Sequence, residues 1–184
     1  MARLSLPDQP TPEQAEVVAE AIAGKRGKVP APMIGWLPNP ELARRAQRLG
    51  ELLRFDTDLS PALTEIAILV CARHWTSHYE WTAHKRLALA AGVDPQTIAD
   101  IAVRKPTPFV RDDREGLVLA LSRTLLTDGR LISADYDRGV AGLGQKGMVD
   151  LVGILGYYCL VSLTLNAFEL GLPESHAPEL EQPE

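Results

Sequence analysis

The chain has 184 residues and a net charge of −5, from Lys+Arg 19 against Asp+Glu 24, with 46% hydrophobic and only 5% aromatic residues. This length suits one domain, and a core rich in Ala and Leu but poor in aromatics favours packed helices over sheets. Mild acidity without a basic stripe argues against a nucleic-acid partner, and two cysteines far apart, outside any C-x-x-C, indicate a reduced cytoplasmic protein rather than a disulfide scaffold.

The first stretch, MARLSLPDQPTPEQ, is interrupted early by proline and charge, so it lacks the apolar run of a signal peptide. Thr11-Pro12-Glu13-Gln14 reads as a capped helix start, and that helix is expected to end near Gly24. Residues 27–40 carry four prolines and read as a loop lying against the body through Met33, Ile34, Trp36 and Leu37. A helix then follows Asn39-Pro40, with Leu42, Ala46, Leu49 and Leu53 on its inner side. Ser60-Pro61 opens the next, whose buried side carries Leu63, Ile66, Ala67, Val70 and Cys71.

A break between His74 and His78 leads into a helix that Gly92 terminates as a C′ glycine. Asp94-Pro95 caps a short helix to about Val103, and Lys105 to Arg111 is a proline-containing connection. Asp112 or Asp113 starts a helix ending at Gly129, and Ser133 begins a short one ending near Gly142 or Gly144. The last helix runs from about Lys146 to Leu170. Its segment LVGILGYYCLVSLTLNAF is uncharged, but a membrane span needs about 20 apolar residues. This one carries Gly153, Gly156, Ser162, Thr164 and Asn166 between acidic flanks, and reads as a core helix rather than a membrane segment. No alternating strand, internal repeat or phosphate-binding glycine loop is visible. The expected organisation is a single domain over 1–184, with an N-terminal arm over about 1–36 and a Pro- and Glu-rich tail over about 174–184 that reads as disordered.

The candidate chemistry centres on SHYEWTAHKRLALAAG, residues 77–92. Four residues advance a helix by about 400°, so Glu80 and His84 share a face. Two readings stand. In one the pair is a solvated surface couple worth a few tenths of a kcal/mol. In the other the carboxylate holds one imidazole nitrogen, favours the protonated ring and leaves the second nitrogen free for proton transfer. Glu65 sits inside an apolar row, where a buried carboxylate needs a partner such as His84 on the following helix. Its alternative is an outward position in the first turns of its helix. His74 and His78 also stand at helical spacing and raise a metal site with Glu80 and His84. On a continuous helix, however, His78 and Glu80 differ by about 200°, and no standard zinc pattern completes the set. Trp81 and Tyr79 read as core or subunit-contact residues, and Cys71 as a buried small hydrophobe.

The stretch SPALTEIAILVCARHWTSHYEWTAHKRLALAAGVDPQTI resembles the carboxymuconolactone decarboxylase family. The resemblance continues through FVRDDREGLVLALSRTLL and MVDLVGILGYYCLVSLTLNAFELGLP. It implies an all-α fold, the alkylhydroperoxidase-D-like helical bundle. In the peroxidase branch of that fold a Cys-x-x-Cys pair works with a Glu and a His. On this chain the Glu and His fall at Glu65 and His84, while the cysteine positions hold Ser77 and Glu80. Neither can cycle through a sulfenic acid or disulfide, so a thiol peroxidase mechanism is not expected of this chain.

The resemblance further implies a homo-oligomer, a trimer or hexamer, with the uncharged last helix near subunit contacts. It implies decarboxylation and double-bond shift of a small carboxylated lactone, an anionic organic substrate that is its own electron sink and needs no cofactor. Glu65, Glu80 and His84 are the candidate catalytic residues, with His84 as proton donor, and Arg73 or Arg86 as a candidate cation for the substrate carboxylate. Two rival readings remain: a non-catalytic assembly protein, which predicts Glu80 and His84 exposed, and a different acid–base enzyme on the same scaffold.

Overall fold

The computed structural model describes residues 2–105, 113–172 and 176–181. Among them there is no strand. The helices are α1 (Pro12–Ala23), α2 (Ala31–Trp36), α3 (Pro40–Phe55), α4 (Pro61–His74), α5 (His78–Ala90), α6 (Pro95–Ala102), α7 (Arg114–Asp128) and α8 (Ser133–Ala167). The all-α reading therefore holds.

Side-chain caps set most of the starts. Thr11 and Gln14 form a reciprocal capping box at α1. Asn39, Ser60, Asp94 and Asp113 each accept from a backbone N–H in the first turn of α3, α4, α6 and α7. Gly129 ends α7 in the left-handed conformation at φ 70°, where a Cβ would be strained. Helix α8 is two helices joined at Gly144 (φ 73°, ψ 169°), one of the two positions at which the sequence allows the short helix to end.

The centre is α4, in which every residue from Leu63 to Arg73 is buried. It packs against α5, α6, α7 and α8. A helix enclosed on all sides has no solvent face on which to park a charge. That fact decides the position of Glu65.

Two sequence expectations are corrected. Residues 31–36, expected as loop, form α2, with Pro32, Met33 and Trp36 buried. The Trp36 indole donates to Thr164 Oγ1 on α8 at 2.7 Å, so the segment is anchored rather than draped. Helix α3 buries Ala43, Ala46, Gln47, Gly50 and Leu53, while Leu42 and Leu49 are exposed. Close approach to α8 selects the small-residue face: a Cβ on Gly50 would lie 2.1 Å from the Tyr157 hydroxyl oxygen. The tail is placed over residues 176–181, where Leu180 is buried and Glu179 pairs with Lys85 and accepts from the Trp81 indole at 3.5 Å. The proline-containing connection expected over 105–111 falls, from residue 106 on, outside the described residues.

Helix α8 is long and apolar enough to cross a membrane by length and composition, yet 56% of its apolar window is buried inside the protein, as in a core helix. Its outward face keeps Val149, Val152, Leu160 and Leu163 exposed.

Gly50→Ala tests the α3–α8 contact. The Tyr157 ring is buried against Gly50, so the substitution is expected to displace it toward the cavity or to destabilise by about 1–3 kcal/mol, the usual cost of overpacking. Chemical denaturation reads the change, and an unaltered midpoint would mean that the ring or the two helices give way freely there.

Candidate functional site

Glu65 projects from the middle of α4, and Glu80 and His84 from successive turns of α5. The two helices meet through a tight corner at residues 75–77. Thr76 there has φ 48°, a conformation strained for a β-branched residue. Two contacts hold it: Arg73 Nη1 donates to Thr76 Oγ1 at 3.0 Å, and the Ser77 amide donates to the Ala72 carbonyl at 2.8 Å. This corner lays α5 back along α4 and brings His84 opposite Glu65.

The geometry is a linear triad. His84 Nδ1 lies 2.6 Å from Glu65 Oε2, and His84 Nε2 lies 3.0 Å from Glu80 Oε2. All three residues are buried, at 6% (Glu65), 4% (Glu80) and 4% (His84) exposure. The solvated-pair reading and the outward position for Glu65 are both overturned. So is the expectation of a free imidazole nitrogen, since each nitrogen faces a carboxylate. Burial by itself would drive the His84 proton off, but hydrogen bonds to Glu65 and Glu80 outweigh it and raise the ring to about 9. At neutral pH the ring is an imidazolium donating to both acids.

Glu80 and His84, but not Glu65, line a cavity of about 220 Å³. Glu65 is thus the rear anchor and Glu80 the face offered to a ligand. Among apolar and aromatic side chains the cavity wall carries five cationic residues, Lys25, Arg26, Lys28, Arg54 and Arg86, of which Lys25 is paired with Asp56. Arg26 donates to the Gly50 carbonyl at 3.0 Å, while its buried Nε has no hydrogen-bond partner. Tyr158 also lines the cavity, its ring set edge-on to His84 with centroids 5.1 Å apart. Its hydroxyl is buried and lacks a partner. Burial, followed by the charge of Glu80, pushes this phenol above its usual range and keeps it protonated as a donor.

Of the two arginines proposed from sequence, Arg86 is at the cavity and Arg73 is not. Arg73 is a brace: its Nε donates to the Ala102 carbonyl at 2.6 Å, tying α4 to the end of α6. Lys25, Arg26, Lys28, Arg54 and Tyr158 were missed, because nothing in their local spacing announces a shared cavity. The metal reading gains no support. His74 packs edge-on against Trp75, His78 lines a different cavity, and no group of three or more His, Cys, Asp or Glu among the described residues is arranged to hold an ion.

Residues 40–105, from the start of α3 to just past α6, match the model of the carboxymuconolactone decarboxylase family. No curated protein and no solved structure matches the chain.

The protonation state is directly measurable. In the folded protein the His84 ring is expected to titrate near 9 rather than near the ordinary 6.5. Its contribution to stability is therefore full below about pH 6.5 and fades as pH rises through about 9. Histidine-resolved NMR titration, paired with denaturation at neutral and alkaline pH, reads both. A His84 midpoint near the ordinary value would contradict the triad.

Proposed function

The chain is a member of the carboxymuconolactone decarboxylase family through residues 40–105, and on that premise we propose that it is a cofactor-free acid–base enzyme that decarboxylates and isomerises a small carboxylated lactone or related acid. The observation that carries the reading is the buried Glu65–His84–Glu80 triad opening through Glu80 onto a cavity with cationic walls.

A carboxylate leaves as carbon dioxide only if the electron pair left behind has somewhere to go. In an unsaturated lactone the pair moves into the ring carbonyl and gives a dienolate, which a proton must then quench on carbon. Arg26, Arg54 and Arg86 supply the positive potential that draws an anionic substrate into the cavity. The Tyr158 hydroxyl donates to the oxygen on which negative charge develops, and such a donor is worth most in a buried site. The proton reaches the dienolate carbon through Glu80, the cavity-facing acid, and is replenished from His84 Nε2. Glu65 holds the imidazolium in place from behind. Because the ring begins protonated, the cycle delivers a proton before it recovers one.

The homo-oligomer that the resemblance implies has a suitable surface in the exposed stripe Val149, Val152, Leu160 and Leu163 on α8, and we propose that a second copy of the chain seats there.

Three substitutions test the chemistry on carboxylated lactones, with turnover followed by ultraviolet absorbance. His84→Ala and Glu80→Gln are expected to abolish turnover while circular dichroism stays helical. Tyr158→Phe is expected to lower kcat about a hundredfold with a smaller change in KM. Wild-type rates in the first two variants would remove the triad from the mechanism. For the assembly, Val152→Glu is expected to lower the sedimenting mass, and an unchanged mass would place the contact elsewhere.

A further inference from the structure

A second cavity, of about 220 Å³, lies between the end of α4, the end of α6 and the face of α7. It shares no lining residue with the cavity of the triad. Val70, Ile101 and Leu126 make its apolar part, and Arg73, His74, Arg104 and Arg123 its polar part. Among the described residues no Asp or Glu lines it.

The arginines come from three elements and are held by neutral oxygens. Arg73 is 6% exposed, with Nε on the Ala102 carbonyl at 2.6 Å and Nη1 on Thr76 Oγ1 at 3.0 Å. Arg104 Nη2 donates to the Arg73 carbonyl at 3.3 Å, and Arg123 Nη1 to the Lys105 carbonyl at 2.7 Å. No ion pair joins Arg73 or Arg104 to a carboxylate among the described residues. Capping the carbonyl end of a helix takes one cation. Three guanidiniums around one cavity exceed that need. Burial and then the Arg104 charge work against the positive charge of Arg73, and Glu181 opposes them with the smallest effect. Arg123 is likewise disfavoured by burial, with Asp100 in its support. Arg104 also sits at φ 54° where the chain leaves α6, with the next amide, Lys105, bonded back to the Asp100 carbonyl at 2.9 Å. Glycine is the usual residue at such a helix exit, and a side chain there carries backbone strain.

We propose that this cavity is a binding site for a small organic monocarboxylate, its carboxylate held by Arg73, Arg104 and Arg123 and its hydrocarbon body resting on Val70, Ile101 and Leu126. A guanidinium presents its donors in a fork that matches a carboxylate, and a bound anion supplies the negative charge that the lining lacks. The apolar part selects against inorganic anions, which would leave it uncovered. The volume falls below the roughly 300 Å³ at which pockets for drug-sized molecules begin, so the body is short.

His74 reports on occupancy. Burial, followed by the charge of Arg104, holds the ring below its ordinary value, so the empty site has a neutral imidazole at pH 7. The charged groups around it are Arg73 on its own helix, Arg104 after α6 and Arg123 on α7, all positive. A carboxylate set among them favours the imidazolium, so binding raises the His74 midpoint and strengthens as pH falls. The site is independent of the chemistry assigned to the triad.

The experiment titrates the full-length protein with hexanoate, read by histidine-resolved NMR and by calorimetry. Hexanoate is expected to shift the His74 resonance saturably and to raise its midpoint, and to do the same in Arg86→Ala, which alters only the other cavity. Acetate and hexanol, each carrying one half of the ligand, are expected to bind at least about tenfold more weakly. Arg73 braces the corner at Thr76, so the charge is tested instead at exposed Arg104: Arg104→Gln is expected to weaken hexanoate about tenfold. Leu126→Asp is expected to abolish the His74 response while the His84 resonance stays in place. A His74 resonance unmoved by hexanoate, phosphate or hexanol acting as well as hexanoate, or full affinity in Arg104→Gln would overturn the proposal.

Discussion

A positive ring buried between two negative carboxylates is the interaction around which this molecule is organised. Withdrawing three ionisable groups from water costs several kcal/mol per ion unless each finds its complement. Here one ring serves both acids, each nitrogen of His84 facing one of them, and the cationic side chains of the cavity wall lie beside Glu80. The arrangement requires α4 and α5 to lie against one another at a fixed offset, and the strained corner at Thr76 maintains it. Strain held in a turn next to a buried charge cluster is common where geometry matters more than local comfort. Arg73, which looks from sequence like a substrate cation, spends its hydrogen bonds holding that corner and the end of α6.

The triad lies in one part of the chain, while the ligand-facing wall draws on several. Glu65, Glu80 and His84, with Arg54 and Arg86, lie inside the segment that matches the family. Arg26, Tyr157 and Tyr158, which complete the cavity, lie outside it, on the link after α1 and on α8. On the proposed reading, proton handling rests on the matched segment, while ligand selection is shared with α8 and the α1–α2 link. The matched segment thus speaks to the class of chemistry more strongly than to the compound it acts on.

What could be read from the sequence was mostly local. Helix starts at Thr11, Asn39, Ser60 and Asp94 followed from cap chemistry, and the break at Gly144 followed from glycine. The Glu80–His84 pairing followed from helical spacing, while Glu65 was legible only because a carboxylate in an apolar row demands a partner. The misses have one physical origin. Periodicity marks which face of a helix is apolar but does not say how closely a neighbour approaches. Helix α3 accordingly turned its alanines and Gly50 inward and left Leu42 and Leu49 outside. Nor does local pattern bring together groups from distant helices. Tyr158 with His84, and Cys71 with Cys159, are products of tertiary packing alone.

The triad also bears on the thiols. Cys71 lies close enough to Glu80 for that charge to help keep its proton on, alongside the larger effects of Cys159 and burial. A nearby carboxylate opposes a second negative charge on α4, so the Cys71 thiol stays neutral. The neutrality of that thiol is thus assisted by the acid–base site and is not set by burial alone. One helix, α4, carries Glu65 and Cys71. Its complete enclosure accounts for both features: a carboxylate there must be paired, and a thiol there must stay neutral.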